Sequence, residues 1–191
     1  MKILLVDDHA LIHDALRGVL LELVEDAVVL EAPDCHRAMR LIEQNPDLDL
    51  ILLNVAPERD AFSALAEVRE RHPAISVVVL SSLYHHASIV KALDLGALGF
   101  IPKSSQREVM LSALQLVFAG GIYIPPEILS HDGRHTSPAD LGLTEQQLDV
   151  LELMMQGKSD EEICRKLGLS EPPVKNLIAA ILKALKKFGR G

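Results

Sequence analysis

Five short apolar runs, each followed by a stretch with helical spacing, constrain this chain more than any other feature. The runs are KILLVD at 2–7, AVVLE at 27–31, DLILLN at 49–54, SVVVLS at 76–81 and ALGFI at 97–101. Helical patterns follow near 10–23, 34–44, 60–71, 86–95 and 105–119. A strand wet on one face alternates apolar and polar residues, whereas these runs are nearly continuous, so both of their faces need cover. A parallel sheet with crossover helices on both sides meets that need. The expected class is α/β, with a five-stranded doubly wound parallel sheet.

Sheets of this kind collect functional groups at the carboxyl ends of their strands, around the point where strand order reverses. The polar residues there are Asp7 and Asp8 after the first run, Asn54 ending the third, Ser81 ending the fourth and Lys103 just after the fifth. Singly, each has a structural explanation: Asp8 is a favoured N-cap for the next helix, and Lys103 covers the sheet end. Together they place two carboxylates, an amide, a hydroxyl and an ammonium in one shallow pocket.

That ordered set resembles the receiver domain of bacterial two-component response regulators over roughly residues 1–120. LLVDDH (4–9), VVVLSS (77–82) and GALGFIPKSS (96–105) are similar to the NarL/FixJ subfamily. The resemblance implies that Asp7 and Asp8 form the Mg2+-binding acidic pair, that Ser81 and Lys103 contact a phosphoryl group, and that Phe100 stands at the aromatic switch position. It also puts Asn54 where the phosphoacceptor aspartate belongs. An acyl phosphate needs a carboxylate nucleophile, which an amide does not supply, and a hard cation loses one charged oxygen. The expectation is therefore an atypical receiver with no phosphotransfer at Asn54, weak or absent Mg2+ at Asp7 and Asp8, and no required cofactor. Pro57 lies three residues after Asn54, where relatives place a proline at four, and Ala61–Phe62 stand near the usual glycine. The loop itself reads as remodelled.

The net charge of −8 is uneven: residues 1–136 hold 11 Lys+Arg against 19 Asp+Glu, and residues 137–191 hold 8 of each. Within 171–191, Lys175, Lys183, Lys186, Lys187 and Arg190 face one acid, Glu171. A local basic segment is what a DNA-facing element requires. Cys35 and Cys164 match no metal spacing and read as buried thiols of a reducing compartment. His9 and His13, four apart on one helix, have the spacing of a metal pair but read rather as surface or packing residues, and His85–His86 as a loop feature. The N-terminal apolar run is too short for a signal peptide, so the expected location is cytoplasmic.

After Gly120–Gly121 the chain, over 122–142, is rich in Pro, Gly and polar residues, which is linker composition, with one short helical turn expected after Pro126 and His131 and His135 within it. Thr144 with Gln147 forms a capping-box pattern before a helix with a Leu148, Leu151 and Met155 stripe, ended by Gly157. Ser159 caps a second helix that Gly168 stops, and a third is expected from about Pro173 to Lys187. A small all-α helix-turn-helix domain over 143–191 is thus expected after a linker at 121–142. LTEQQLDVLELMMQGKSDEEICRKLGLSEPPVKNLIAAIL (143–182) resembles the LuxR-type DNA-binding domain. The resemblance implies that Lys175, Asn176 and Ala179 face DNA, and Lys183 is grouped with them as a cation of the same helix. Pro172–Pro173 removes two N–H groups from a helix start that would grip phosphate, and too little chain follows for the usual fourth helix.

These readings converge on a dimeric, DNA-binding transcription regulator whose receiver works without aspartyl phosphorylation. The alternative is an interaction protein that pairs with an intact regulator or sensor and no longer reads DNA. An enzyme has the least support, because the acidic cluster is incomplete and no substrate cap is evident.

Overall fold

A computed structural model of the chain describes residues 1–55, 61–82, 84–131, 134–135 and 141–188. Its first part is built from β1 (Lys2–Val6), α1 (Ala10–Leu23), β2 (Val28–Ala32), α2 (Cys35–Gln44) and β3 (Leu50–Asn54). It continues with α3 (Ala61–Arg71), β4 (Ser76–Ser81), α4 (His86–Asp94), β5 (Gly99–Pro102) and α5 (Arg107–Phe118). All pairings among the five strands are parallel, in the order β2-β1-β3-β4-β5. Strand order reverses between β1 and β3, so the ends of those strands open onto the crevice.

The continuous apolar runs are explained by cover on both faces. Ile3, Leu5, Leu50, Leu52, Val78 and Leu80 pack with Leu16 and Leu20 of α1 and Leu114 and Val117 of α5. Their neighbours Leu4, Val6, Ile51, Leu53, Val77 and Val79 pack with Ile42 of α2, Leu65 of α3 and Ile89 of α4. Two-residue periodicity therefore sends alternate side chains to opposite helical layers.

The segment after α5 is packed at its start. Tyr123 donates its N–H to Leu98 O and accepts from Phe100 N, adding a one-residue parallel bridge opposite Gly99. Ile124 and Ile128 are fully buried. A 3-10 turn occupies Pro126–Leu129, the helical turn expected there, and a two-stranded antiparallel ribbon follows, β6 (Ser130–His131) with β7 (Arg134–His135). Composition gave no sign of this ribbon.

Three helices complete the described residues: α6 (Glu145–Met155), α7 (Asp160–Leu167) and α8 (Glu171–Phe188). Thr144 and Ser159 each close a full capping box, with Gln147 and Glu162 respectively. Gly168 ends α7 at φ +66°, a left-handed conformation that a Cβ would strain. The inward stripe of α6 is rotated from the expected one: Val150, Leu151 and Met154 are buried, while Leu148 and Met155 are half-buried. α8 starts at Glu171, two residues before Pro173. Both prolines thus fall in the first turn, where N–H groups have no intrahelical acceptor and the ring's fixed φ suits the helix.

Val174, Ile178, Ile181 and Leu185 form the buried side of α8 and join the apolar cluster that also contains Ile89 of α4 and Ile128. The core thereby runs from the sheet's α4 side into the C-terminal helices. No helix of the described residues is long and apolar enough to cross a membrane.

Candidate functional site

β1 and the turn after it deliver Asp7 and Asp8 to the crevice, β3 delivers Asn54, β4 Ser81 and the turn after β5 Lys103. The structure connects Asp7 and Lys103 directly. The Lys103 ammonium lies against Asp7 Oδ2, with the two side chains 9% and 1% exposed. Asp7 Oδ1 accepts from the His9 main-chain N–H at 3.0 Å and stands 2.9 Å from His9 Nδ1. Burial pushes the Asp7 carboxyl up, but the hydrogen bonds from Lys103 and His9 outweigh it and hold the group below its ordinary value. Asp7 is thus a carboxylate with both oxygens engaged.

Asp8 does not cap α1, the explanation open to it as a single residue. His9 holds the N-cap position without a side-chain capping bond, and its Nδ1 also lies 3.0 Å from Asp8 Oδ1. Position in the turn, one residue too early, decided this against propensity.

Donor atoms of Asp7, Asp8 and His9 lie within 4.8 Å of one another. As a receptacle for the Mg2+ that receivers use, the set fits poorly: Lys103 already neutralises Asp7, and His9 offers a nitrogen where a hard cation selects oxygen. No step here depends on a metal. His13 turns elsewhere, placing Nδ1 3.3 Å from Glu31 Oε2, so His9 and His13 form no pair.

Ser81 is 2% exposed, and its Oγ donates to Val55 O at 2.7 Å. The hydroxyl is therefore bonded to the main chain directly after Asn54. Asn54 is half-buried at the end of β3 and lines a cleft of about 390 Å³ with Val6, Asp7, Pro33, Asp34, Cys35 and His36. Phe100 is fully buried on β5 among the α4-side residues. Pro57 and the rest of 56–60 lie outside the described residues. Cys35 and Cys164 are only half-buried, which corrects the reading of both as core thiols.

On α8, Lys175, Asn176, Ala179 and Lys183 are exposed while Val174, Ile178, Ile181 and Leu185 are buried. Helical geometry produces this split, since positions four apart share a face. Lys175 Nζ is 2.5 Å from Glu171 Oε1 one turn earlier. That hydrogen bond raises Lys175 and lowers Glu171 from their ordinary values. Lys175 and Glu171 also line an open cleft of about 660 Å³, shared with Ala119 and Gly120 beyond α5 and with Cys164 and Arg165 of α7.

Sequence reasoning misplaced one residue of consequence. His86 belongs to no loop: it begins α4, is 2% exposed, and contacts α8. Its partner Leu185 lies 99 positions away, beyond any local pattern.

Comparison with known proteins agrees with this geometry. Residues 3–115 match the response regulator receiver domain family, and residues 141–189 match the family described as bacterial regulatory proteins, luxR family. The glycerol metabolism activator of Pseudomonas putida is 35% identical over 201 residues, covering 99% of this chain and 91% of that protein. The nitrate/nitrite response regulator NarL of Escherichia coli K12 is 30% identical, covering 98% and 90%. Among solved structures, a LuxR family DNA-binding response regulator from Silicibacter pomeroyi is 33% identical with a TM-score of 0.59, covering 65% of this chain and 97% of that one. This family consists of transcription regulators rather than enzymes. A receiver fold followed by a LuxR-type helical domain, matched along nearly the whole chain, places this protein in the NarL-like, LuxR-family response regulators.

Proposed function

We propose that this protein is a DNA-binding transcription regulator whose receiver acts independently of aspartyl phosphorylation. The observation that carries the reading is the clean division of α8, with Lys175, Asn176, Ala179 and Lys183 in solvent and a continuous apolar face beneath them. Lys175 and Lys183 suit phosphates or a guanine edge, and Asn176 suits an adenine edge. The DNA-binding description of the Silicibacter pomeroyi relative is in keeping with it.

Phosphorylation independence rests on two features of the pocket. Asn54 has no carboxylate to phosphorylate, and Lys103 is engaged by Asp7, so the cation that would meet a phosphoryl group has an internal partner. The site resembles a closed ion pair more than a vacant acceptor. Homodimerisation through outer receiver helices is part of the proposal, because two-fold operators demand paired recognition helices.

Binding of genomic fragments measured by fluorescence anisotropy across a salt series tests the reading. Affinity should fall steeply and linearly in log–log form. Absence of binding at low salt, or a flat response, rejects it. A second reading has one observation in its favour: Lys175 is tied to Glu171 at 2.5 Å, which withholds the leading cation of the helix. In that reading the protein pairs with an intact regulator or sensor. Co-purification with such a partner, without DNA binding alone, would establish it.

A further inference from the structure

A cleft of about 460 Å³ lies where three parts of the chain meet: the first turns of α5, the segment from Tyr123 into the 3-10 turn, and the C-terminal end of α6. That volume is in the range of small-molecule sites, which combine apolar walls with a few placed polar groups. Val109, Pro126 and Met155 supply apolar wall here, and Tyr123 and Glu127 supply the polar groups. Val109 is among the few large apolar side chains of the described residues left exposed.

The polar groups are incompletely served. Glu127 is half-buried as a residue, but its Oε2 is shut off from water and accepts no hydrogen bond from the described residues. A carboxylate oxygen so placed is costly until a donor reaches it. Tyr123 is 5% exposed and fixed through its main-chain bonds to Leu98 and Phe100, while its hydroxyl meets no hydrogen-bonding partner among the described residues. Burial pushes that hydroxyl up and the Glu127 charge adds to the effect, so the phenol keeps its proton and Glu127 is the anion of the pair. α6 ends on the same cleft at Met155, Gln156 and Gly157, with no basic residue in its last turn to offset the negative end of the helix. Glu108 brings a second carboxylate, partly offset by the positive end of α5 on which it sits. Cations of the neighbouring segments are engaged elsewhere: Lys103 with Asp7, Arg107 with Glu22 and Lys158 with Glu162.

We propose that this cleft binds a small organic cation with a short apolar stem, an alkylamine or alkylguanidine, whose N–H groups donate to Glu127 and Tyr123. Its charge meets Glu127 and the end of α6, and its stem lies along Val109, Pro126 and Met155. A neutral ligand leaves the carboxylate uncompensated, and an anion is repelled by it. Because the lining comes from both α5 and α6, an occupant ties the helical domain to the receiver. Such an input needs neither Asn54 nor a phosphoryl donor, and it stands whether or not α8 binds DNA.

The test titrates the full chain, without DNA and in phosphate buffer at about pH 7, with butylamine, butylguanidine and n-butanol. Both nitrogenous probes are cations there, as lysine and arginine side chains are. Backbone amide 15N–1H spectra should show saturable shifts clustered at Val109, Tyr123, Glu127 and Gln156, with dissociation constants on the order of 1 mM for the two cations. Binding of n-butanol should be at least about tenfold weaker, the scale of a hydrogen bond to a charged group. Glu127→Gln keeps the side chain's shape and should weaken both cations about tenfold, and Tyr123→Phe about threefold. Asp26→Asn, at an exposed acid in the turn between α1 and β2, should change neither. The net charge of −8 makes diffuse attraction of cations the competing outcome. Unsaturating shifts spread over the acidic surface, unchanged affinity in Glu127→Gln, or n-butanol binding as tightly as the cations each overturn the proposal. If Glu127→Gln fails to fold, Tyr123→Phe and the three probes on the unaltered protein decide the matter.

Discussion

Lys103 holds Asp7 in place at the carboxyl end of the sheet, an ammonium against a carboxylate whose side chain is 1% exposed. Removing one partner of a buried ion pair leaves a charge that neither water nor protein satisfies. Lys103→Met should therefore destabilise the receiver by on the order of 3 kcal/mol in urea denaturation. A loss below about 0.5 kcal/mol, the range of an exposed pair, would show that the contact is incidental.

The same pair sets an acid limit. Asp7 is held below its ordinary value of 3.8, so its contribution to stability is complete above that value and disappears as pH falls through the lower, folded one. Stability curves for the wild-type protein should bend downward below about pH 4. In Lys103→Met that part of the bend should vanish, which thermal melts in a citrate–phosphate series would reveal.

Restoring a carboxylate should not restore a switch. With Asn54→Asp, a small-molecule phosphoryl donor and Mg2+, intact-mass spectra should show no added phosphoryl group, and DNA affinity should stay within about twofold of wild type, a difference of under 0.5 kcal/mol. Lys103 and His9 already occupy both oxygens of Asp7. A stoichiometric phosphoryl adduct in that variant would mean that only the nucleophile had been lost.

Glu171→Gln should free Lys175 for phosphate. The expected gain is roughly two- to fivefold in DNA affinity at low salt, and the log–log salt slope should steepen by up to about one unit. Lys175→Ala should shift both in the opposite direction. If Glu171→Gln leaves affinity and slope unchanged, the internal ion pair does not restrain this helix.

The two faces of α8 should separate stability from binding. Ile181 is fully buried, so Ile181→Ala should cost about 2–4 kcal/mol of stability. Exposed Lys183→Ala should leave the melting temperature nearly unchanged while weakening DNA binding. Reversal of that pattern in paired melts and anisotropy titrations would overturn the assignment of faces.

What could be read from sequence follows interaction range. Apolar runs and capping residues such as Thr144 and Ser159 act over a few positions, so elements emerged with ends shifted by one or two residues. Asp7, Asn54, Ser81 and Lys103 stand at the same end of the sheet because parallel strands all finish on one side, which needed only the topology. Their partners were harder, since Lys103 to Asp7 and Ser81 to Val55 O depend on side-chain direction. His86 was missed for the plainest reason: its surroundings come from Ile128 and Leu185, and nothing beside it in sequence marks it as interior.

Tyr123 bridges Gly99 on β5, the outermost strand on that side of the sheet. An uncapped edge strand invites pairing with another chain. A fragment cut at residue 120 would lose this added rung along with buried Ile124 and Ile128, and should self-associate where a fragment ending after Leu129 stays monodisperse. For anyone dissecting the protein, the receiver's usable boundary lies beyond the last residue that resembles a receiver.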